Sequence, residues 1–142
     1  MIGILVISHG DLSKSIVETG KMIVGTNDKV EYLGLYSGDD IEAFYNQTAK
    51  KIEELDDGDG VLVFSDLYGA SPFKATAYGA SKLSNVLYRS ISGVNFPMFI
   101  ESVLQRENKT LEELSNYVMN IGKEGIKEMF AEAKKLSEVS KR

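Results

Sequence analysis

Four short apolar runs punctuate the first two-thirds of the chain, and each is followed by a glycine-containing polar break. The first, Ile2–Ser8, is almost continuously apolar, the pattern of a strand covered on both faces. Leu12, Ile16, Thr19, Gly20 and Ile23 then recur at helical spacing and predict a helix over Leu12–Val24. Gly25–Asp28 is a turn cluster, and Val30–Tyr36 reads as a second strand. Ser37–Asp40 breaks the chain and supplies N-cap groups, with Asp11, Asp39 and Asp40 all expected as helix caps. Ile41, Phe44, Tyr45, Thr48, Ile52 and Leu55 mark the apolar stripe of a second helix.

After the turn Asp56–Gly60, Val61–Ser65 reads as a buried third strand. Ser71–Pro72 opens the next helix, with Ser71 as cap and Pro72 at the first helical position, where its missing N–H is harmless. That helix is expected to reach about Lys82, and Val86–Ile91 is the fourth strand. A short helix over Pro97–Arg106 follows the loop Ser92–Asn95. Thr110 and Glu113 form a capping box that starts one long final helix, its stripe running from Leu111 through Val118, Gly125 and Met129 to Leu136. Gly122 and Gly125 are read as close-packing positions, and the polar segment Ser137–Arg142 is expected to fray. Strands alternating with helices predict an α/β domain, an open, mostly parallel four-stranded sheet with helices on both faces, and residues 1–142 as a single domain.

In such a sheet, ligands bind at the carboxyl ends of the strands, where strand order reverses. Ser8–Asp11, Ser37–Gly38, Ser65–Ser71 and Ser92–Asn95 all fall on that rim. His9 is the one histidine in the chain, so any imidazole chemistry happens there. If the first and third strands are neighbours, as in an order 2-1-3-4, Asp66 faces His9. It could hold one ring nitrogen and leave the other with a free lone pair. Ser71 and the helix it opens offer a hydroxyl, free N–H groups and a positive dipole end to an anion. The residues equally allow plainer roles: a turn histidine, Asp66 capping a turn, and Ser71 as a structural cap. A Ser71/His9/Asp66 hydrolase triad is also conceivable. Gly69–Phe73 only partly resembles a nucleophile elbow, because its fifth position is Phe73 and not glycine.

Composition narrows the chemistry. The chain has 142 residues, no cysteine and a formal net charge of −5. Disulfides, thiolate catalysis and cysteine-held metals are thereby excluded, and there is no second histidine for a zinc site. A histidine-held metal site is not expected. An acidic chain lacks the basic stripe of a non-specific nucleic-acid binder. Ile2–Ile7 is too short for a signal sequence, no basic segment precedes it, and no run approaches the ~20 apolar residues of a membrane span. A cytoplasmic protein is expected. P-loop, dinucleotide-fold and zincin motifs are absent.

Three segments carry a more specific signal: Ile7–Gly10, Phe64–Phe73 and Gly93–Met98. Each lies at a predicted strand end. Together they resemble the EIIA component of the mannose family of the bacterial phosphoenolpyruvate-dependent sugar phosphotransferase system (PTS), and Gly122–Ile126 looks like that family's last helix. The resemblance spans about Met1 to Met129. It implies a 2-1-3-4 sheet and a homodimer. It implies that His9 accepts a phosphoryl group from the phosphocarrier protein HPr and passes it to a cognate EIIB component, with the membrane EIIC and EIID subunits involved only indirectly. By position, Asp66 would hold the histidine ring, while Ser71 and the backbone around Leu67 would contact the phosphoryl oxygens. No cofactor is implied.

Ser65 and Ala70 depart modestly from the family pattern. The chain ends at Arg142 with no EIIB domain following, so a standalone subunit is expected. Some relatives exchange a C-terminal strand across a dimer. Ala131–Arg142 reads as helix, so no such exchange is expected. Competing classes are the EIIA-like phosphocarrier of a dihydroxyacetone system, a phosphorylation-sensing binding module and the serine hydrolase. Gly93–Pro97 favours the sugar-transport branch.

Overall fold

Strand β1 (Gly3–His9) is buried along its whole length except at His9, as its apolar run requires. The computed structural model describes residues 1–140 and places β1 at the centre of the sheet. Around it lie α1 (Leu12–Val24), β2 (Val30–Leu35), α2 (Ile41–Leu55), β3 (Val61–Ser65), α3 (Ser71–Lys82), β4 (Tyr88–Ser92), α4 (Phe96–Gln105), α5 (Leu111–Glu124) and α6 (Met129–Ser140). The four strands are parallel and ordered β2-β1-β3-β4, so β1 and β3 are neighbours and the expected switch point exists.

Alternation along the strands divides the core in two. Ile4, Val6, Leu62 and Phe64 pack on one face with Val17 of α1, Phe99 of α4 and Val118 of α5. Leu5, Ile7, Val61 and Val63 pack on the other with Phe44 and Ile52 of α2 and Ala75 of α3. Because β1 and β3 feed both layers, neither strand has a polar face to turn toward solvent, and their side chains reach water only at the ends.

At the amino end of the sheet a depression of about 850 Å³ is lined in part by Met1, Arg89, Arg106 and Thr110. The buried Arg106 guanidinium there is engaged by the carbonyls of Ile2, Asp28 and Lys29, at 3.4, 2.6 and 3.4 Å. It ties strand starts together and is not free for a ligand.

The C-terminal region differs from the single long helix predicted. The apolar stripe is interrupted after Glu124, and α5 and α6 are separate helices. The cause lies at the glycine pair. Gly122 lies against Met98, its carbonyl accepts from Asn95 Nδ2 at 2.8 Å, and a Cβ on Gly125 would stand 2.8 Å from Pro97 Cγ. Close packing on the start of α4 therefore demands glycine where helix propensity is weakest, about 1 kcal/mol below alanine per residue. The Glu128 carboxylate accepts the Ala131 N–H at 2.7 Å and restarts the helix. α6 is helical through Ser140, so the expected fraying of Ser137–Ser140 is not seen, and Lys141 and Arg142 lie outside the described residues. Met129 and Phe130 of α6 are 68% and 73% exposed. No helix among the described residues is long and apolar enough to cross a membrane.

Candidate active site

His9 ends β1 on the carboxyl rim, with its side chain 51% exposed. The register Ile7↔Ser65 brings Asp66, the first residue beyond β3, alongside it. One carboxylate oxygen, Asp66 Oδ2, accepts the His9 backbone N–H at 2.9 Å and meets the ring Nδ1 at 2.7 Å. The other, Oδ1, accepts the Leu67 N–H at 2.9 Å. Burial alone would push the Asp66 carboxyl up, but hydrogen bonds from the His9 backbone, the His9 ring and the Leu67 backbone outweigh it and hold the group below the usual carboxylate range. An ionised carboxylate only accepts, so Nδ1 carries the proton. In the neutral ring Nε2 then keeps its lone pair, and it makes no hydrogen bond among the described residues. This is the geometry of an oriented, exposed nucleophile.

Ser71 stands one residue deeper in its helix than the sequence suggested. Ala70, extended, occupies the N-cap position of α3, Ser71 is the first helical residue and Pro72 the second. The Ser71 hydroxyl therefore does not cap α3, and no side chain does. The opening of α3 keeps uncapped N–H groups beside an unengaged hydroxyl, on the rim that follows β3. The Leu67 N–H, by contrast, is already engaged by Asp66. Ser71 makes no hydrogen bond to His9, so the hydrolase triad is not assembled.

Four further rim residues, Ser8, Asp11, Tyr36 and Asn95, have roles that sequence reasoning missed. Asp40 caps α2 as expected, accepting from the Glu42 N–H at 3.3 Å, but Asp11 does not cap α1 with its side chain. Ser8 Oγ accepts the Ser13 N–H instead, at 2.8 Å, and the Asp11 carboxylate accepts the O–H of Tyr36. Asn95 caps α4 through the Met98 N–H at 3.2 Å while bonding Gly122, so this part of the Gly93–Met98 motif joins α4 to α5. A short polar side chain before a helix signals capping; which of two candidates takes the N–H depends on the path of the chain between them.

The fold is thus an open, doubly wound parallel α/β sheet with one exposed, carboxylate-oriented imidazole at its switch point. Residues 3–119 match the family described as PTS system fructose IIA component (EIIA-man), and the chain belongs to that family. The PTS system mannose-specific EIIAB component of Escherichia coli (strain K12) is 29% identical over 133 residues, which cover 92% of this chain and 40% of that protein. This chain thus spans less than half the length of that relative. Among solved structures, the PTS IIA protein associated with the fucose utilization operon from Streptococcus pneumoniae is 30% identical, with a TM-score of 0.76 over 92% of this chain and 95% of that one. A phosphotransferase system component EIIA from Streptococcus agalactiae superposes with a TM-score of 0.84 at 23% identity, over 92% and 99% of the two chains, which shows the shared fold.

Proposed function

We propose that this protein is a phosphocarrier of a sugar phosphotransferase system. His9 Nε2 attacks the phosphorus of a phosphohistidine on HPr. The donor P–N bond breaks with its electron pair returning to the donor ring, and a P–N bond forms at His9. The reverse logic delivers the phosphoryl group to a cognate EIIB component, with EIIC and EIID downstream. The observation that carries this reading is the Asp66–Nδ1 contact at 2.7 Å, which leaves the exposed Nε2 as the nucleophile. Phosphoryl transfer needs in-line placement and charge stabilisation more than covalent machinery, and this rim supplies both.

Asp66 acts as the residue that holds the ring and stabilises its positive charge at transfer. Ser71 and the start of α3 offset the phosphoryl oxygens. Leu67 contributes through its N–H, which then has to be shared between Asp66 and the phosphoryl group. The working protein is a cytoplasmic homodimer. The exposed Met129 and Phe130 of α6 support that assembly.

The test is intact mass after incubation with phosphoenolpyruvate, enzyme I and HPr, run beside His9→Ala. The expected result is one acid-labile phosphoryl group on the wild type and none on a folded variant. Phosphorylation of the variant would end this reading.

A further inference from the structure

The Asp11 carboxylate is engaged where nothing about helix capping requires it. It stands directly before α1, yet Ser8 supplies the cap and Asp11 turns toward β2 to accept the Tyr36 O–H. Tyr36 is itself pinned: its N–H donates to Asp39 Oδ2 at 2.8 Å, and its carbonyl accepts the Asp39 N–H at 3.1 Å. One step further in, the Gly10 N–H donates to the Leu35 carbonyl at 2.7 Å. Gly34 makes this approach possible, since a Cβ there would lie 2.3 Å from the Gly10 carbonyl oxygen.

The corner His9–Gly10–Asp11 is thus gripped from two sides. Asp66 holds it from β3, and the end of β2 holds it from the opposite side. A recess of about 440 Å³ lies between the corner and the Ser37–Gly38 turn, with His9 and Tyr36 both on its wall. The hydrogen bond to Asp11 is the main reason the Tyr36 phenol is held above its usual pKa. Tyr36 is 49% exposed, and an exposed hydrogen bond adds little to global stability. What such a bond does contribute is local order in a three-residue corner that carries the reacting ring.

We propose that Tyr36, acting through Asp11, is a positioning residue for His9: the phenol–carboxylate clasp fixes the corner from which the imidazole projects, so that Nε2 meets the incoming phosphorus in line. Its effect on rate rests on the phosphocarrier reading above, whereas its effect on the ring does not. Misplacement of a reacting atom by ~1 Å can cost ~10²-fold in rate, so a clasp that removes a fraction of that freedom is worth a smaller factor.

The test uses Tyr36→Phe, Asp11→Ala and the double variant. Because His9 is the only histidine, its ring gives one Cε1–H signal and one pair of ring nitrogens in NMR spectra. Both single variants are expected to move those resonances. With phospho-HPr as donor, both are expected to lower kcat about three- to tenfold with KM unchanged, and the double variant to be no slower than the slower single, as for two halves of one interaction. Wild-type ring resonances in both variants would overturn the proposal. So would a raised KM with unchanged kcat, which would make Tyr36 a docking contact. If the wild type accepts no phosphoryl group at all, the phosphocarrier reading fails, and the ring resonances still decide the clasp.

Discussion

A carboxylate that accepts three hydrogen bonds through both of its oxygens keeps little freedom of its own, and Asp66 passes that rigidity to the ring it touches. Removing it should therefore harm chemistry more than folding. Asp66→Ala is expected to slow phosphoryl uptake by about 10²-fold, the penalty of a loosely placed nucleophile. The cost in unfolding free energy is expected near about 1 kcal/mol, because the freed His9 N–H lies at the surface and regains water. Rapid-quench kinetics and denaturant titration measure the two. An unchanged transfer rate would remove Asp66 from the mechanism. Its folded pKa is lowered, so the stability it confers is present above the ordinary carboxylate range and is lost as pH falls through the folded value. The stability gap between wild type and Asp66→Ala should close in that acid window. The His9–Asp66 pair was legible beforehand because His9 ends the first strand and Asp66 directly follows the third, which the 2-1-3-4 order implied by the resemblance places side by side. The Tyr36–Asp11 bond was not: the capping rule assigned Asp11 to α1, and only the folded path of Ser8 shows that the N–H was already taken.

At the scale of elements, the buried strands β1 and β3 follow from their near-continuous apolar runs, and the first two helices from helical spacing of apolar residues. The strand order came from resemblance, not from periodicity, because pattern says which residues are buried and not which strand lies beside which. The break between α5 and α6 was hidden for a related reason. A continuous stripe through Gly125 reads as one helix until Pro97 is known to lie against it. Gly34 makes the corresponding point in a strand. The nearest atom to a Cβ there is a backbone oxygen, that of Gly10, which cannot swing aside as a side chain could. Gly34→Ala is expected to cost about 1–3 kcal/mol of stability, as overpacking does, and to displace the His9 corner. Urea unfolding, with the His9 ring resonance as a second reporter, checks this; a wild-type midpoint and spectrum would show that the close approach is not needed.

Across the whole molecule, the two ends of the sheet have been given different tasks. The amino end is closed by Arg106 and its carbonyl partners, while the carboxyl end carries an open imidazole. α6 belongs to neither. An isolated helix of its length is marginal in water, so a covering surface is needed to hold it. If a second copy provides it, sedimentation should show a dimer for the wild type, and Phe130→Asp should shift the population to monomer while leaving the His9 signal in place. A wild-type monomer at micromolar concentration would count against the assembly. The exposure of His9 has one more consequence. If His9 carries the phosphoryl group, its one exposed nitrogen meets both the donor and the acceptor, so the two partners would compete for the same few square nanometres of surface. The carrier would then run as a turnstile with a single slot: His9 would hold at most one phosphoryl group, and an excess of either partner in its spent form would stall the other. Flux would scale with the number of free carriers and not with the strength of either handshake, which favours weak, brief encounters on both sides.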